Sequence, residues 1–300
     1  MLRTTPLALT ALLALGACGG ASPRATTPAP AAPTPRLVDA ATGEAVSFDA
    51  MIDALAGARV VYVGERHDQG VDHDLQRRVA EALLARDPSL ALGFEMFQHP
   101  RQAALDAYVA GELDEAGMLE RTEWETRWGF DFAMYRPLVR LGPERGVPLV
   151  GLNAPQELTR AVARGGLEGL DEAQREALPE LILDDAAHRE TILAALRHHP
   201  GMDEETLERF YTAQVIWDET MAERAAAFLA RPDTPSRMVV FAGTMHVRRP
   251  AIPARAARRG ATPHAIVLPL AASELEAALA ADPPPADFLW VVPDASDAAE

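Results

Sequence analysis

Six short apolar runs, each bounded by turn-forming residues, punctuate the chain: Arg59 to Val63, Leu90 to Phe94, Val147 to Leu152, Met238 to Ala242, Ala265 to Leu268 and Phe288 to Val292. Runs of this length, rich in Val, Ile, Leu and Phe without polar alternation, predict strands buried on both faces. Between the early runs the spacing changes to that of a helix. Val71, Leu75, Val79 and Leu83 recur every fourth residue, and a second amphipathic segment spans Tyr135 to Leu141. Strands alternating with helices predict an α/β fold, a mainly parallel sheet with helices on both faces. From about 165 to 230 the alternation gives way to a long helical stretch broken near His199-Pro200-Gly201. A helical hairpin or lid is expected there, either as an insertion or as a subdomain.

The ends of the chain read differently. Arg3, an apolar run from Leu7 to Leu15 and then Leu15-Gly16-Ala17-Cys18 follow the charged, apolar and small-residue order of an export signal over residues 1–17. The run is too short to span a bilayer, and no later run approaches the roughly 18 to 20 residues that spanning needs. Leu-Gly-Ala-Cys resembles the lipobox of bacterial lipoproteins, which implies lipidation of Cys18; Gly19 beside it favours an outer membrane, with the protein facing the periplasm or the surface. Residues 18–36 are almost wholly Ala, Pro, Thr, Ser and Gly and read as a semi-extended tether. A single domain over 37–292 and a frayed tail over 293–300 complete the expected organisation.

Composition narrows the chemistry. The 300 residues are 48% hydrophobic and 24% charged, with a formal net charge of −16 and no lysine, so arginine supplies every basic side chain. Such a surface is unsuited to nucleic acid. Cys18 is the sole cysteine, which leaves the folded part without intramolecular disulfides or thiolate ligands.

Two strand ends carry the same signature. Val60-Val61-Tyr62-Val63 runs into Gly64-Glu65-Arg66-His67-Asp68, and Val239-Val240-Phe241-Ala242 runs into Gly243-Thr244-Met245-His246. Ligands gather at the carboxyl ends of parallel strands, where glycine lets the backbone turn while side chains face the crevice. If the strands are neighbours, His67 and His246 converge as a metal or acid/base pair. Two further strand ends bring Glu95 and Asn153 toward the same rim, although both residue types also cap helices, and Ala154-Pro155 favours capping for Asn153. Gln214 falls on the apolar stripe of Phe210, Trp217, Met221 and Phe228, with Asp218 beside it, so either a site role or an internal hydrogen bond is open for Asp218. His188, His198 and His199, among many acids, read as solvated.

Six segments in order resemble the ChaN-like haem-binding uptake family, a branch of the superfamily that also holds Tiki-type proteins: Gly64 to Asp68, Glu95 to Phe97, Tyr135 to Leu138, Gly151 to Asn153, Gln214 with Trp217 to Ala222, and Gly243 to His246. The likeness spans roughly Phe48 to Leu270. It implies a lipoprotein in haem or iron uptake, whereas the wider superfamily, with its erythromycin esterase-like enzymes, implies hydrolysis, sometimes with a divalent metal ion. For haem, Tyr135 is the first expected iron ligand, with Arg136 beside it to steady a phenolate or meet a propionate; His99, Tyr108 and the site histidines His67 and His246 follow. The alternative for Tyr135 is helix packing with its hydroxyl at the surface. In the hydrolase reading His67, His246 and Glu65 hold the metal, and Glu65 or Glu95 acts as base. A homodimer is compatible with either.

Overall fold

In the computed structural model, residues 34–196 and 203–294 are described. The signal segment, Cys18, most of the tether, His198, the break at His199-Pro200-Gly201 and the last six residues lie outside them. One mixed sheet of eight strands organises the domain: β1 (Arg36–Asp39), β2 (Ala45–Val46), β3 (Val60–Glu65), β4 (Ala91–Gln98), β5 (Leu149–Asn153), β6 (Met238–Gly243), β7 (His264–Ala271) and β8 (Phe288–Val292). Their order across the sheet is β2-β1-β8-β7-β3-β6-β4-β5. All six strands read from apolar runs are present and pair in parallel. The two short strands β1 and β2, not anticipated, close one edge antiparallel. Arg36 accordingly opens a strand instead of ending the tether.

Alternation along each strand divides the apolar side chains between two cores, because successive residues point to opposite faces. Val61 and Val63 face a core with Val239, Phe241, Phe94 and Leu75, under the helices Gly70–Arg86 and Phe132–Val139. Val60 and Tyr62 face the opposite core with Val240, Met221, Ala225 and Ile252. Continuous apolar runs are what such two-sided burial requires.

Where a hairpin or lid was expected, the helix Ala186–Leu196 packs on the first half of a long helix whose second half is a layer of the fold. In the helix Glu204–Leu229, Met221, Ala222, Ala225, Ala226 and Leu229 cover the second sheet face. Buried Glu219 ties this layer to the helix Ile252–Arg258, its carboxylate 3.1 Å from Arg255 Nε and 2.6 Å from Arg259 Nη1. The first half of the long helix packs Tyr211 and Val215 against Ile192 of the helix Ala186–Leu196.

Close approach of packed elements explains the first strand-end glycine. A Cβ on Gly64 would lie 2.8 Å from Pro269 Cδ and 2.9 Å from Val247 Cγ2. Both partners are buried and cannot retreat cheaply. Gly64→Ala is therefore expected to cost about 2 kcal/mol of unfolding free energy through overpacking, read as a lower urea midpoint at unchanged slope; an unchanged midpoint would show that the β3 end has room to spare.

Candidate functional site

The site forms where β3 and β6 run side by side. They pair in register from Val60 with Met238 to Glu65 with Gly243, so both Gly-x-x-His turns leave the same edge. Their neighbour β4 brings Glu95 to that edge. His67, Glu95, Asn153, Gln214 and His246 line one cavity of about 280 Å³, together with Gln98, Arg127, Trp128, Gln156 and Trp217. This volume is at the low end of the ~300–1,000 Å³ usual for small-molecule sites.

Each histidine is held by its own carboxylate. Glu65, buried at the end of β3, accepts from His67 Nδ1 at 2.8 Å and from the Tyr135 hydroxyl at 3.0 Å. His73 Nδ1 lies 3.1 Å from the other Glu65 oxygen, outside hydrogen-bond alignment, so that contact is electrostatic. Burial opposes the charged form of Glu65, yet His67 and His73 outweigh it and hold its carboxyl below the usual range. Desolvation likewise works against a charged His67, but Glu65 and Glu95 shift its pKa upward. In the neutral ring Nδ1–H donates to the carboxylate, so the lone pair lies on Nε2 and is made more basic. Nε2 has no hydrogen-bond partner among the described residues, and the ring is flanked by Trp128 and Phe130 at centroid distances of 4.8 and 5.1 Å. Gly243 makes room for it: a Cβ there would meet His67 Cε1 at 2.8 Å and Nε2 at 3.2 Å.

His246 lies deeper. Its Nδ1 donates to Asp218 Oδ1 at 2.6 Å, and its Nε2 approaches Glu95 Oε1 at 3.4 Å. Burial alone would lower its pKa, but Glu95 and Asp218 push it up to about 9. The other Glu95 oxygen accepts the Gly243 N–H at 2.6 Å, which locks β4 to the β6 turn. Asp218 is fully buried and bridges two imidazoles, with His188 Nε2 at 2.7 Å from Oδ2. Desolvation would raise its pKa, but His246 and His188 bring it down to about 2.

The geometry corrects several expectations. His188 is not solvated but wholly buried, the second partner of Asp218. Its stripe mate Ile192, four residues on and also buried, was the available signal. Asn153 caps no helix: its side chain accepts the N–H of Ala154, and the next helix begins at Gln156 behind Pro155. Tyr135 is neither an open iron ligand nor a surface hydroxyl, being fully buried on Glu65, with burial and that carboxylate raising its pKa. Arg136 points the other way, 2.9 Å from Glu115, onto a separate cleft lined by Glu120, Glu123, Glu125 and Asp131, which repels propionates. Nor do Tyr108 and His99 reach the cavity; burial and Arg224 drive the His99 pKa down to about 4. As for a metal, no group of three or more His, Asp or Glu among the described residues could hold one. Glu65 is enclosed behind His67, and both His246 nitrogens face carboxylates.

Residues the sequence did not single out complete the site. Gln98 and Arg127 cross-link its wall at 2.8 Å, and Arg127 continues to Glu157 at 2.9 Å. His73 and Gln76 occupy the inward stripe of the helix Gly70–Arg86, a polar interruption visible in the spacing.

Comparison with known proteins agrees with this fold. Residues 51–255 match the family described as haem-binding uptake, Tiki superfamily, ChaN. A solved structure described as cofacial heme binding to ChaN of Campylobacter jejuni superimposes with a TM-score of 0.67 at 17% identity, over 86% of this chain and 97% of that one. A mutant of the erythromycin esterase EreC in its open conformation gives 0.46 at 14% identity, over 80% and 77% of the chains. Among curated proteins, RETICULATA-RELATED 5 of Arabidopsis thaliana, a chloroplastic protein, is 26% identical over an alignment 264 positions long that covers 79% of this chain and 34% of that protein, so the chain spans about a third of its relative. The family match covers more than half of the sequence, and the chain therefore belongs to the haem-binding uptake family of the Tiki superfamily that includes ChaN.

Proposed function

We propose that the protein is a membrane-tethered haem-binding lipoprotein of haem or iron uptake, and that His67 is its iron ligand. The observation that carries the reading is the Glu65-His67 pair. Histidines that bind metals commonly donate their second nitrogen to a carboxylate, which fixes the tautomer and raises ligand basicity. His67 has this arrangement, with Nδ1 on Glu65 at 2.8 Å and Nε2 turned to the cavity. All four tyrosines, Tyr62, Tyr108, Tyr135 and Tyr211, are buried, so histidine is the natural donor. Trp128 and Trp217 offer aromatic faces to a macrocycle, and Arg127 is the basic side chain of the lining. Bound haem would supply the redox-active iron; the chain's part is to present His67, exclude competing ligands through the packed aromatic wall, and hold the proton on Nδ1. A cavity of about 280 Å³ cannot enclose a porphyrin, which favours a haem lying across its mouth with the outer face free. The cofacial heme of the C. jejuni protein is in keeping with such an open face, and a homodimer would be one way to cover it.

Titration of the full chain with ferric haem tests the proposal. A saturable, shifted Soret band is expected. Haem spectra unchanged by the protein would end it.

The tether rests on Leu15-Gly16-Ala17-Cys18 and the Pro-rich segment after it. Stable attachment needs more than one acyl chain, as a lipidated and acylated cysteine provides. Cys18→Ala is expected to move the exported protein from the membrane to the soluble fraction, measured by fractionation; unaltered membrane partition would contradict the anchor.

A second reading is favoured by the buried His188-Asp218-His246 chain. A charged imidazole held by a buried carboxylate at the edge of a cavity is the arrangement of a general acid. In that reading His246 gives a proton to the leaving group of a hydrolysis while Glu95 beside it takes one from the attacking water, without a metal.

A further inference from the structure

Two residues past His246 in sequence, at Arg248, a second cavity of about 730 Å³ opens between β7, the helices Ala186–Leu196 and Ile252–Arg258, and the Pro283-Pro284-Pro285 turn. Its floor is apolar, with Leu268 and Leu270 buried and Ala254, Ala277 and Ala278 beside them. Arg248 borders this floor. Its neighbour Arg249 is satisfied, donating to Pro284 O and to Asp287. Arg248 is not: its Nε is shut off from solvent with no hydrogen-bond partner, and among the described residues no carboxylate pairs with it. Glu274 lines the same cavity, but one of its oxygens already accepts the Ala271 N–H at 2.8 Å.

An arginine always carries its charge, and the half-buried Arg248 guanidinium, its Nε without a partner, gains from an anion that meets it over the apolar floor. Burial lowers the Arg248 pKa, and the charge of Glu274 on the same lining offsets only part of that. We propose that this cavity binds a monoanionic amphiphile, a carboxylate head on an apolar tail, with the head on Arg248 and the tail over Leu268 and Leu270. A carboxylate matches the planar guanidinium fork. Asp185, Glu190, Glu274 and Asp282 on the lining repel more highly charged heads such as phosphate monoesters. Among the described residues no His, Tyr, Met or Cys lines the cavity, so it offers iron no ligand there and is distinct from the proposed haem site.

Calorimetric titration of the full chain with dodecanoate, methyl dodecanoate and inorganic phosphate tests this. Dodecanoate is expected to bind, the methyl ester to bind at least about 10-fold more weakly, and Arg248→Met to weaken dodecanoate by about 10- to 100-fold, the loss of a charge-assisted hydrogen-bond pair. Ala278→Trp, which fills the floor, is expected to abolish binding at an unchanged circular dichroism spectrum. The ester test needs no variant and so does not depend on folding. Absence of dodecanoate binding, equal binding of acid and ester, or an Arg248→Met protein that binds as the parent does would each overturn the proposal. Phosphate displacing dodecanoate with equal affinity would do so too, because the cavity would then take simple anions.

Discussion

Raising the pH from about 6.5 to above 9 is expected to remove roughly 3 kcal/mol of unfolding free energy that a His246→Gln protein does not lose. The His246 pKa rises from 6.5 to about 9 on folding, and a tenfold change in proton affinity is worth about 1.4 kcal/mol. A raised pKa stabilises fully below the unfolded value, and that contribution disappears as pH climbs through the folded value. Asp218 works in the opposite sense: its pKa falls from 3.8 to about 2, so its contribution is present above 3.8 and is lost as pH drops through about 2. Both changes describe one ion pair and are not added. The pair is at full strength between about pH 3.8 and 6.5. His67 and His73 also have raised values, and the acidic surface adds its own repulsion. The difference in slope between parent and variant isolates His246. Urea titrations of both proteins between pH 6 and 10 give that difference, and parallel curves would mean that the imidazole is not charged in the folded state.

His67→Ala is expected to lower haem affinity by about 100-fold and to shift the remaining Soret band toward that of free haem. The ligand is lost outright, whereas changing a ligand's supporting partner typically costs 10- to 100-fold. Glu65→Gln supplies that lesser case, since the amide can still accept from Nδ1–H but carries no charge to raise the basicity of Nε2. An expected loss of about 10-fold separates it from His67→Ala. Since Glu65 also receives Tyr135 and faces His73, thermal unfolding of the variant is read alongside. Equal affinity in His67→Ala and the parent would remove His67 from the site.

The sheet was legible because its six parallel strands are buried on both faces and therefore read as unbroken apolar runs. The edge strands β1 and β2, of four and two residues, are too short for any periodicity to register. Convergence of His67, Glu95 and His246 was legible from topology alone, since parallel strands deliver their carboxyl ends to one rim. The roles of the tyrosine and of His188 were not, because each depends on a partner far along the chain, Glu65 for one and Asp218 for the other. For Tyr135 a local signal did exist: Phe132, Tyr135, Leu138 and Val139 form the buried stripe of their helix, which places Arg136 outward. That the long helix Glu204–Leu229 also covers the sheet could not be inferred without knowing which core takes Met221 to Leu229.

Electron paramagnetic resonance of the ferric haem complex of the full-length parent protein reads the ligand itself and so tests the haem site most directly. Nitrogen ligation by a neutral histidine, lost in His67→Ala and retained in Tyr135→Phe, is the predicted result. A tyrosinate spectrum abolished by Tyr135→Phe would contradict it, because the hydroxyl now sealed against Glu65 would have to swing out to reach the iron.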